Sequence, residues 1–176
     1  MNEASVDRVL ALLAGAHGEY FGEPVSQLEH ALQCAHLARQ AGADDELVAA
    51  ALLHDIGHLV AGAAAEIGSP QHDGIGAAYL RQLGCSARVA DLVAGHVDAK
   101  RYLTAVKPEY YAQLSEASQQ TLALQGGPMS PEEVNHFAGA PGFADKLRLR
   151  TWDERAKEPS AKVPALDTYR AVLARI

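Results

Sequence analysis

The run at residues 47–58, Leu-Val-Ala-Ala-Ala-Leu-Leu-His-Asp-Ile-Gly-His, constrains this chain more than any other stretch. Its apolar first part predicts a buried helix, and His54 and Asp55 follow that helix directly. An ionised aspartate is costly to bury alone, so it is normally paired or bound to a metal. A frayed helix end with two solvated polar residues would fit the same letters, because a dipeptide is a weak motif. A metal site therefore depends on further ligands elsewhere in the chain.

The composition favours close-packed helices. Of the 176 residues, 48% are hydrophobic but only 6% are aromatic, so the core is built mostly from Ala, Leu and Val. Such a core suits helices better than a sheet. A chain of this length fits one domain, spanning residues 1–176, and buries a proper core without cross-links. The predicted fold class is all-α.

Capping residues, glycines and prolines set the bounds of the predicted helices. Helices are expected at about 5–14, 26–41, 72–83, 87–95, 115–124, 130–139, 143–157 and 167–176. A further helix, which carries the opening motif, is expected to begin after a cap at Asp44 or Asp45 and to stop at Gly57. Residues 17–24 are interpreted as a break, and residues 61–70 as a loop rich in Gly and Ala. Residues 100–111 contain Pro108 together with tyrosines and basic residues, so they are interpreted as a loop with a helical turn.

Charge and cysteine content exclude several classes of protein. A net charge of -7 argues against nonspecific binding to nucleic acid. Cys34 and Cys85 form no disulfide framework and fit a reducing compartment. No segment approaches the ~20 apolar residues of a membrane span. Glu3 and Asp7 stand where a signal peptide would carry basic residues. We expect a cytoplasmic protein without a nucleic-acid or membrane partner.

Further candidate ligands occur at predicted helix ends or on inward helix faces: His30, His72, His96 and Asp153. Each has an ordinary alternative role, such as a helix cap for His72 or an ion pair with Arg150 for Asp153. Together with the His-Asp pair they exceed the needs of one metal and suit two metals that share the central carboxylate. Imidazole and carboxylate ligands without a thiolate suit Fe, Mn or Zn, and spacing does not choose among them.

The order His, His-Asp, His, His, Asp resembles the HD-domain superfamily, in particular its dimetal branch. Longer motifs are similar to the mixed-valence diiron oxygenases that cleave organophosphonates: Tyr-Phe-Gly-Glu at 20–23, Gln-Leu-Glu-His at 27–30, Leu-His-Asp-Ile-Gly-His at 53–58, Gly-His-Val-Asp-Ala-Lys-Arg-Tyr at 95–102, Gln-Gly-Gly-Pro-Met at 125–129 and Arg-Thr-Trp-Asp at 150–153. The resemblance covers nearly the whole chain, from residue 20 to residue 169. It implies a single HD-domain helical bundle with a dimetal site in its centre.

The resemblance also implies a role for each matching residue. One iron would be held by His30, His54, Asp55 and Asp153. The second iron would be held by Asp55, His72 and His96, so that Asp55 bridges the two ions. Glu23, itself held by Tyr20, would close the open position of the first iron at rest. Four further residues match the substrate site, with His58 near the substrate and three groups on the phosphonate oxygens: Lys100, Ser118 and Arg150.

The implied reaction is an O2-dependent oxidative cleavage of the C–P bond of a 1-hydroxy-2-ammonioethylphosphonate, by an Fe(II)/Fe(III) pair. A primary amine would give glycine and phosphate, and its N-trimethylated analogue would give glycine betaine. We favour the primary amine, because a primary ammonium donates hydrogen bonds to Glu23. A trimethylammonium requires aromatic faces as well, for which the candidates are Tyr20, Phe21, Tyr102, Tyr110 and Tyr111.

Two other functions remain open from the residues alone. A dimetal HD phosphohydrolase acting on a nucleotide or other phosphoester would use the same six ligands. It would have no need for Tyr20 and Glu23 as an additional, displaceable group. A sensor or scaffold protein that merely binds metal would not need Lys100, Ser118 and Arg150 near the ions. The oligomeric state is not evident from the sequence.

Overall fold

The computed structural model describes residues 1–61 and 71–176. In chain order the elements are α1 Glu3–Ala14, β1 Glu19–Tyr20, β2 Glu23–Ser26, α2 Gln27–Gln40, α3 Asp45–Leu53, α4 Ile56–Ala61, α5 His72–Gln82, α6 Ala87–Ala94, α7 His96–Val106, α8 Pro108–Gln113, α9 Glu116–Leu124, α10 Pro131–Ala138, α11 Phe143–Arg155 and α12 Arg170–Arg175, with a 3-10 turn Leu166–Tyr169 before α12. The all-α prediction is confirmed. The loop predicted for residues 61–70 lies outside the described residues, apart from Ala61 at the end of α4.

Helix α3 lies at the centre of the bundle. All its residues from Leu47 to Leu53 are buried, and its neighbours are α2, α6, α11 and α12. The side chain of Asp44 caps its start by accepting a hydrogen bond from the backbone N–H of Leu47. Ala49, Ala50 and Ala51 are completely inaccessible to solvent. Such small side chains let the surrounding helices approach closely, which brings their polar residues to the end of α3.

Residues 96–113 differ from the prediction. The loop expected over residues 100–111 is wrong, because residues 96–106 form α7 and α8 follows. Residues 96, 99, 100, 103 and 104 are buried and repeat at helical spacing, so tertiary packing favours the helix. Pro108 occupies the first turn of α8, where a missing N–H is tolerated. His96 therefore begins α7, whereas the sequence indicated that it ends the preceding helix.

The predicted break before α2 contains a short antiparallel hairpin, β1–β2, in which Tyr20 pairs with Glu23. The turn between them has positive φ at Phe21 (45°) and at Gly22 (81°). A glycine adopts that conformation without steric cost. The hairpin lies against α2, whose start carries the capping box of Ser26. It therefore places Tyr20 and Glu23 side by side at the edge of the bundle's polar centre.

The state of the two cysteines and the length of the helices relate to the expected redox compartment and to membrane association. Cys34 and Cys85 are buried free thiols. Burial raises the pKa of Cys85 to about 11, which makes its thiolate scarce at neutral pH. Across residues 1–61 and 71–176, no helix has the length and apolar character needed to cross a bilayer.

Candidate metal centre

All six predicted metal ligands converge at the end of α3. They come from four helices and the turn after α3: His30 on α2, His54 and Asp55 after α3, His72 at the start of α5, His96 at the start of α7, and Asp153 on α11. Every one of these histidines, and Asp153, has at most 4% of its surface exposed. Five polar side chains buried at one point require either mutual hydrogen bonds or a bound cation.

The carboxylate of Asp55 separates the ligands into two clusters. Its Oδ2 atom lies 3.3 Å from Nε2 of His54 and 3.7 Å from Nε2 of His30. Its Oδ1 atom lies 3.3 Å from Nε2 of His72 and 3.4 Å from Nε2 of His96. Each oxygen therefore faces a different pair of imidazoles. This is the geometry of a carboxylate that bridges two cations.

Asp153 completes the first cluster. Its Oδ1 atom lies 3.4 Å from Nε2 of His30 and 3.7 Å from Nε2 of His54. That oxygen is buried and has no hydrogen-bond partner among the described residues. For metal–ligand bonds of about 2.1 Å, neighbouring ligand atoms lie about 3.0 to 3.4 Å apart. The distances from each aspartate oxygen to Nε2 of His30 and of His54 are close to that range, and His30, His54 and Asp55 lie near enough to one another to hold an ion.

Hydrogen bonds to the backbone fix the orientation of three imidazoles. Nδ1 of His30 donates to the carbonyl of Ala156 (2.9 Å), and Nδ1 of His54 to that of Ala51 (2.9 Å). Nδ1 of His96 donates to the carbonyl of Val93 (2.7 Å). In a neutral ring whose Nδ1 carries the proton, Nε2 presents a lone pair.

These tautomers leave lone pairs in contact. Nε2 of His30 lies 3.1 Å from Nε2 of His54, and Nε2 of His72 lies 2.9 Å from Nε2 of His96. In the first pair both rings donate through Nδ1, so the two Nε2 lone pairs face one another and repel unless a proton or a metal ion lies between them. The donor set, an orphan carboxylate oxygen and paired imidazole lone pairs, fits a metal ion.

The charges of the aspartates show the same demand for a cation. Burial opposes ionisation of Asp153, but the guanidinium of Arg150 and the facing imidazoles outweigh it and hold the pKa of that carboxyl well below its usual range. Burial likewise opposes ionisation of Asp55, and the facing imidazoles outweigh it, so its pKa is also well below the usual range. The negative charge of Asp55 raises the pKa of His54 well above its usual value, despite burial. Both carboxylates are therefore ionised at neutral pH.

A cavity of about 40 Å³ opens beside the two clusters, and all four predicted substrate-binding residues line it: His58, Lys100, Ser118 and Arg150. Nζ of Lys100 donates to Oγ1 of Thr121 (3.0 Å). Burial, followed by the nearby charge of Arg150, lowers the pKa of Lys100 to about 7. A bound anion would raise that pKa again, because it favours the protonated amine. The cavity therefore has two basic side chains, Lys100 and Arg150, in its wall.

Arg150 and His58 are held firmly in the wall of this cavity. The guanidinium of Arg150 donates to the hydroxyl of Tyr110 (2.8 Å) and contacts the carboxylates of Asp153 and Glu154. The ring of His58 stacks on that of His72 with 4.0 Å between centroids. Burial lowers the pKa of His58 to about 3, so this imidazole is neutral.

Tyr20 and Glu23 do not have the contacts expected from the sequence. Tyr20 was expected to hold Glu23, but its hydroxyl donates to Oδ2 of Asp55 (2.8 Å). The carboxylate of Glu23 accepts a hydrogen bond from Oγ of Ser115 (2.5 Å) and lies 3.0 Å from Nζ of Lys157. In this structure Tyr20 is therefore the hairpin residue that reaches the ligand cluster, and Glu23 turns toward α9 and the end of α11.

Sequence reasoning missed three residues near this cavity. Lys157 carried a weak signal, since it follows Asp153 by four residues and so lies on the same side of the chain. Thr121 and Gln125 line the cavity beside Ser118. Gln125 belongs to the motif at residues 125–129, but the sequence indicated no role for it. Its Oε1 atom is buried with no hydrogen-bond partner in the described part of the chain.

Comparisons with known proteins agree with this arrangement. The HD domain model matches residues 28–134. The chain is 44% identical over 154 residues to [1-hydroxy-2-(trimethylamino)ethyl]phosphonate dioxygenase (glycine-betaine-forming) of Leisingera caerulea, covering 83% of this chain and 76% of that protein. It is 42% identical over 171 residues to hydroxymethylphosphonate dioxygenase of Gimesia maris, covering 93% and 85%. The chain thus belongs to the HD-domain family, in the branch that contains these phosphonate dioxygenases.

Proposed function

We propose that this protein is a mixed-valence diiron oxygenase that cleaves the C–P bond of a 1-hydroxyphosphonate with O2. The position of Asp55 carries the proposal, because its two oxygens face two imidazole pairs beside a cavity lined by Lys100 and Arg150. Two relatives named as phosphonate dioxygenases support it. The finer proposal is a 1-hydroxy-2-ammonioethylphosphonate with a free amine, which gives glycine and phosphate, with the N-trimethylated analogue giving glycine betaine as the close variant.

The two ions would be held by the residues of the two clusters. His30, His54 and Asp153 would hold one, His72 and His96 the other, and Asp55 would bridge them. An Fe(II)/Fe(III) pair, when bound, supplies the redox chemistry with O2 that a closed-shell ion such as Zn(II) does not. Ligands that are all nitrogen and oxygen suit iron. The hydrogen bonds from Nδ1 to backbone carbonyls keep the imidazoles aimed inward.

Around the ions, the chain's own residues bind and orient the substrate. Lys100, Ser118 and Arg150 would take the phosphonate oxygens, and Arg can bind two oxygens at once. The neutral ring of His58 would stand beside the substrate as an uncharged hydrogen-bond partner. A substrate bound in this cavity would displace the water it holds.

The overall reaction balances without a further reductant. A 1-hydroxyphosphonate dianion and O2 give a carboxylate, hydrogen phosphate and one proton. The C–P bond breaks, the carbon is oxidised to a carboxylate, and O2 is reduced. Glu23 would receive the substrate's ammonium, because it lines the smaller cavity that adjoins the first one.

The aromatic residues favour the free amine over its trimethylated form. Tyr20 and Phe21 line the cavity. Tyr102 packs in an apolar cluster with Phe137 and Phe143, and Tyr111 is exposed. Of the three candidates beyond the hairpin, Tyr102 and Tyr111 are therefore directed elsewhere, and the hydroxyl of Tyr110 accepts a hydrogen bond from Arg150.

The test is anaerobic loading of the protein with iron, followed by O2 and the candidate substrates. O2-dependent release of phosphate, together with a mixed-valence EPR signal, is the expected result. Release of phosphate from nucleotides without O2 would contradict the proposal and support a dimetal phosphohydrolase.

A further inference from the structure

Lys157 makes four polar contacts beside the candidate site. Its Nζ atom lies 3.0 Å from Oε1 of Glu23, 3.0 Å from Oγ of Ser115, 3.0 Å from Oγ of Ser118 and 3.2 Å from Oε1 of Glu154. Its side chain is 12% exposed and that of Glu23 is 10% exposed. At this depth an ion pair is screened only weakly, and removing one partner leaves the other buried and uncompensated.

Lys157 also belongs to a chain of alternating charges that begins at the candidate metal ligand Asp153 and ends at Glu23. Asp153 pairs with Arg150, Arg150 with Glu154, and Glu154 with Lys157. The last link is the pair between Lys157 and Glu23. Because Lys157 also pairs with Glu154, its ammonium is held in place independently of Glu23, and together with the hydroxyl of Ser115 it fixes the carboxylate of Glu23.

Glu23 also adjoins the candidate site. It lines a cavity of about 30 Å³ that shares four walls with the cavity beside the metal ligands: Tyr20, Phe21, Ser118 and Thr121. An unpaired carboxylate there would be attracted either to the two metal ions or to a positively charged substituent. The ammonium of Lys157 supplies a third partner that belongs to the protein.

We propose that Lys157 is a specificity-determining residue, a tethered ammonium that holds Glu23 away from the metal ions. This inference rests on the function proposed above. With Lys157 present, Glu23 leaves the open coordination position of the metal free, whether or not the substrate carries a positive charge. The site therefore accepts 1-hydroxyphosphonates that lack an amine as well as those that carry one. Without Lys157, Glu23 moves to the ions, and only a substrate ammonium draws it away.

The first experiment compares two substrates, hydroxymethylphosphonate and 2-amino-1-hydroxyethylphosphonate. In Lys157→Met we expect kcat/KM for the first to fall at least about tenfold and for the second to fall less than about threefold, since breaking a buried pair costs several kcal/mol unless a new cation replaces it. In Lys157→Arg, which keeps the charge, we expect kcat/KM for hydroxymethylphosphonate to return to the wild-type value. Lys162→Met removes an exposed lysine from the same segment and leaves both substrates unchanged.

The second experiment does not depend on turnover. Protein loaded with Co(II) has a visible absorption spectrum that reports the number of ligands on the ion. Lys157→Met is expected to change this spectrum, because Glu23 becomes a ligand. The same substitution in a Glu23→Gln background is expected to change nothing further. Circular dichroism checks that each variant is folded, and Lys157→Gln replaces Lys157→Met if the latter does not fold.

The outcomes separate this inference from the proposed function. If wild-type protein oxidises neither phosphonate, the proposed function fails and the Co(II) comparison alone decides the role of Lys157. If wild-type protein is active, but the variant loses both substrates equally or its Co(II) spectrum is unchanged, the inference about Lys157 is overturned and the proposed function stands.

Discussion

The hydroxyl of Tyr20 donates to Oδ2 of Asp55 across 2.8 Å, while its ring stacks on that of His30 with 3.9 Å between centroids. One hairpin residue thus contacts both the central carboxylate and an imidazole of the first cluster. Burial, together with the charge of Asp55, raises the pKa of Tyr20 well above its usual value, so the phenol remains a donor. The same carboxylate oxygen faces His54, which means that Tyr20 sets the orientation of Asp55 between the two clusters.

Tyr20→Phe keeps the stacked ring and removes only the hydrogen bond. We expect metal affinity to fall about tenfold, because groups that orient a ligand typically contribute 10- to 100-fold. The free energy of unfolding of the metal-free protein should change by about 1 kcal/mol or less. Competition with a chelator measures the first quantity, and urea denaturation measures the second. Equal metal affinity in wild type and variant would show that Asp55 is oriented by other groups.

Gly57 marks the closest approach between α4 and α5. A Cβ atom at this position would overlap the backbone carbonyl of His72 and crowd the backbone N of Gly76. Gly57→Ala should therefore displace the start of α5, destabilise the fold by about 2–3 kcal/mol and weaken binding of the second metal ion. Thermal unfolding and metal content per chain measure these effects.

Gly74→Ala is the matched control for Gly57→Ala. Gly74 lies on α5, two residues after His72, and a Cβ atom there would meet nothing within 4 Å. Since alanine is the better helix former, this variant should be as stable as wild type or more stable by about 0.5–1 kcal/mol. If both variants lose metal, the close approach at Gly57 is not the cause of the loss.

Arg88 on α6 ties together the starts of two other helices. Its guanidinium contacts Asp44 and Glu46 at the start of α3, and Asp145 in the first turn of α11, each at 2.9 Å. The Arg88 side chain is 38% exposed, so solvent screens these pairs. Arg88→Met should lower the free energy of unfolding by about 1 kcal/mol at low salt and by less at high salt. Urea denaturation at two salt concentrations measures the change.

Arg81→Met is the control for Arg88→Met. Arg81 pairs with Asp91, and both side chains are about half exposed or more. An isolated pair of this kind contributes about 0–0.5 kcal/mol. If both variants lose the same stability, the three-partner network of Arg88 has no special contribution.

The hydrogen bonds and ion pair of Glu133 predict that the fold loses stability in acid. The backbone N–H of Ser130, followed by the guanidinium of Arg101, lowers the pKa of the Glu133 carboxyl from its usual 4.5 to about 2. A carboxyl whose pKa is depressed on folding stabilises the fold above its unfolded pKa, and this contribution disappears as the pH falls from about 4.5 to about 2. Glu133→Gln should therefore be less stable than wild type at pH 6, with the difference shrinking toward pH 2. Equal stability of wild type and Glu133→Gln at pH 6, measured by urea denaturation, would contradict this prediction.

Local pattern was sufficient to predict the helices that carry the candidate metal ligands, apart from α7. The apolar run of α3 ends in His54 and Asp55, and buried carboxylates and imidazoles have few stable partners other than metals. The loop predicted over residues 100–111 failed because the burial of Ala99, Lys100 and Leu103 comes from neighbouring helices. That burial selects a helix where tyrosines and Pro108 indicated a turn.

Which groups meet one another was decided by the tertiary structure. Sequence identified His30, Asp55 and Asp153 as candidate ligands, but only the packing of α2, α3, α5 and α7 shows that each oxygen of Asp55 faces a different imidazole pair. Tyr20 and Glu23 adjoin one another in the hairpin, yet Tyr20 contacts Asp55 whereas Glu23 pairs with Lys157. Contacts between residues so far apart in the chain leave no periodic pattern in the sequence, because they depend on how whole elements pack.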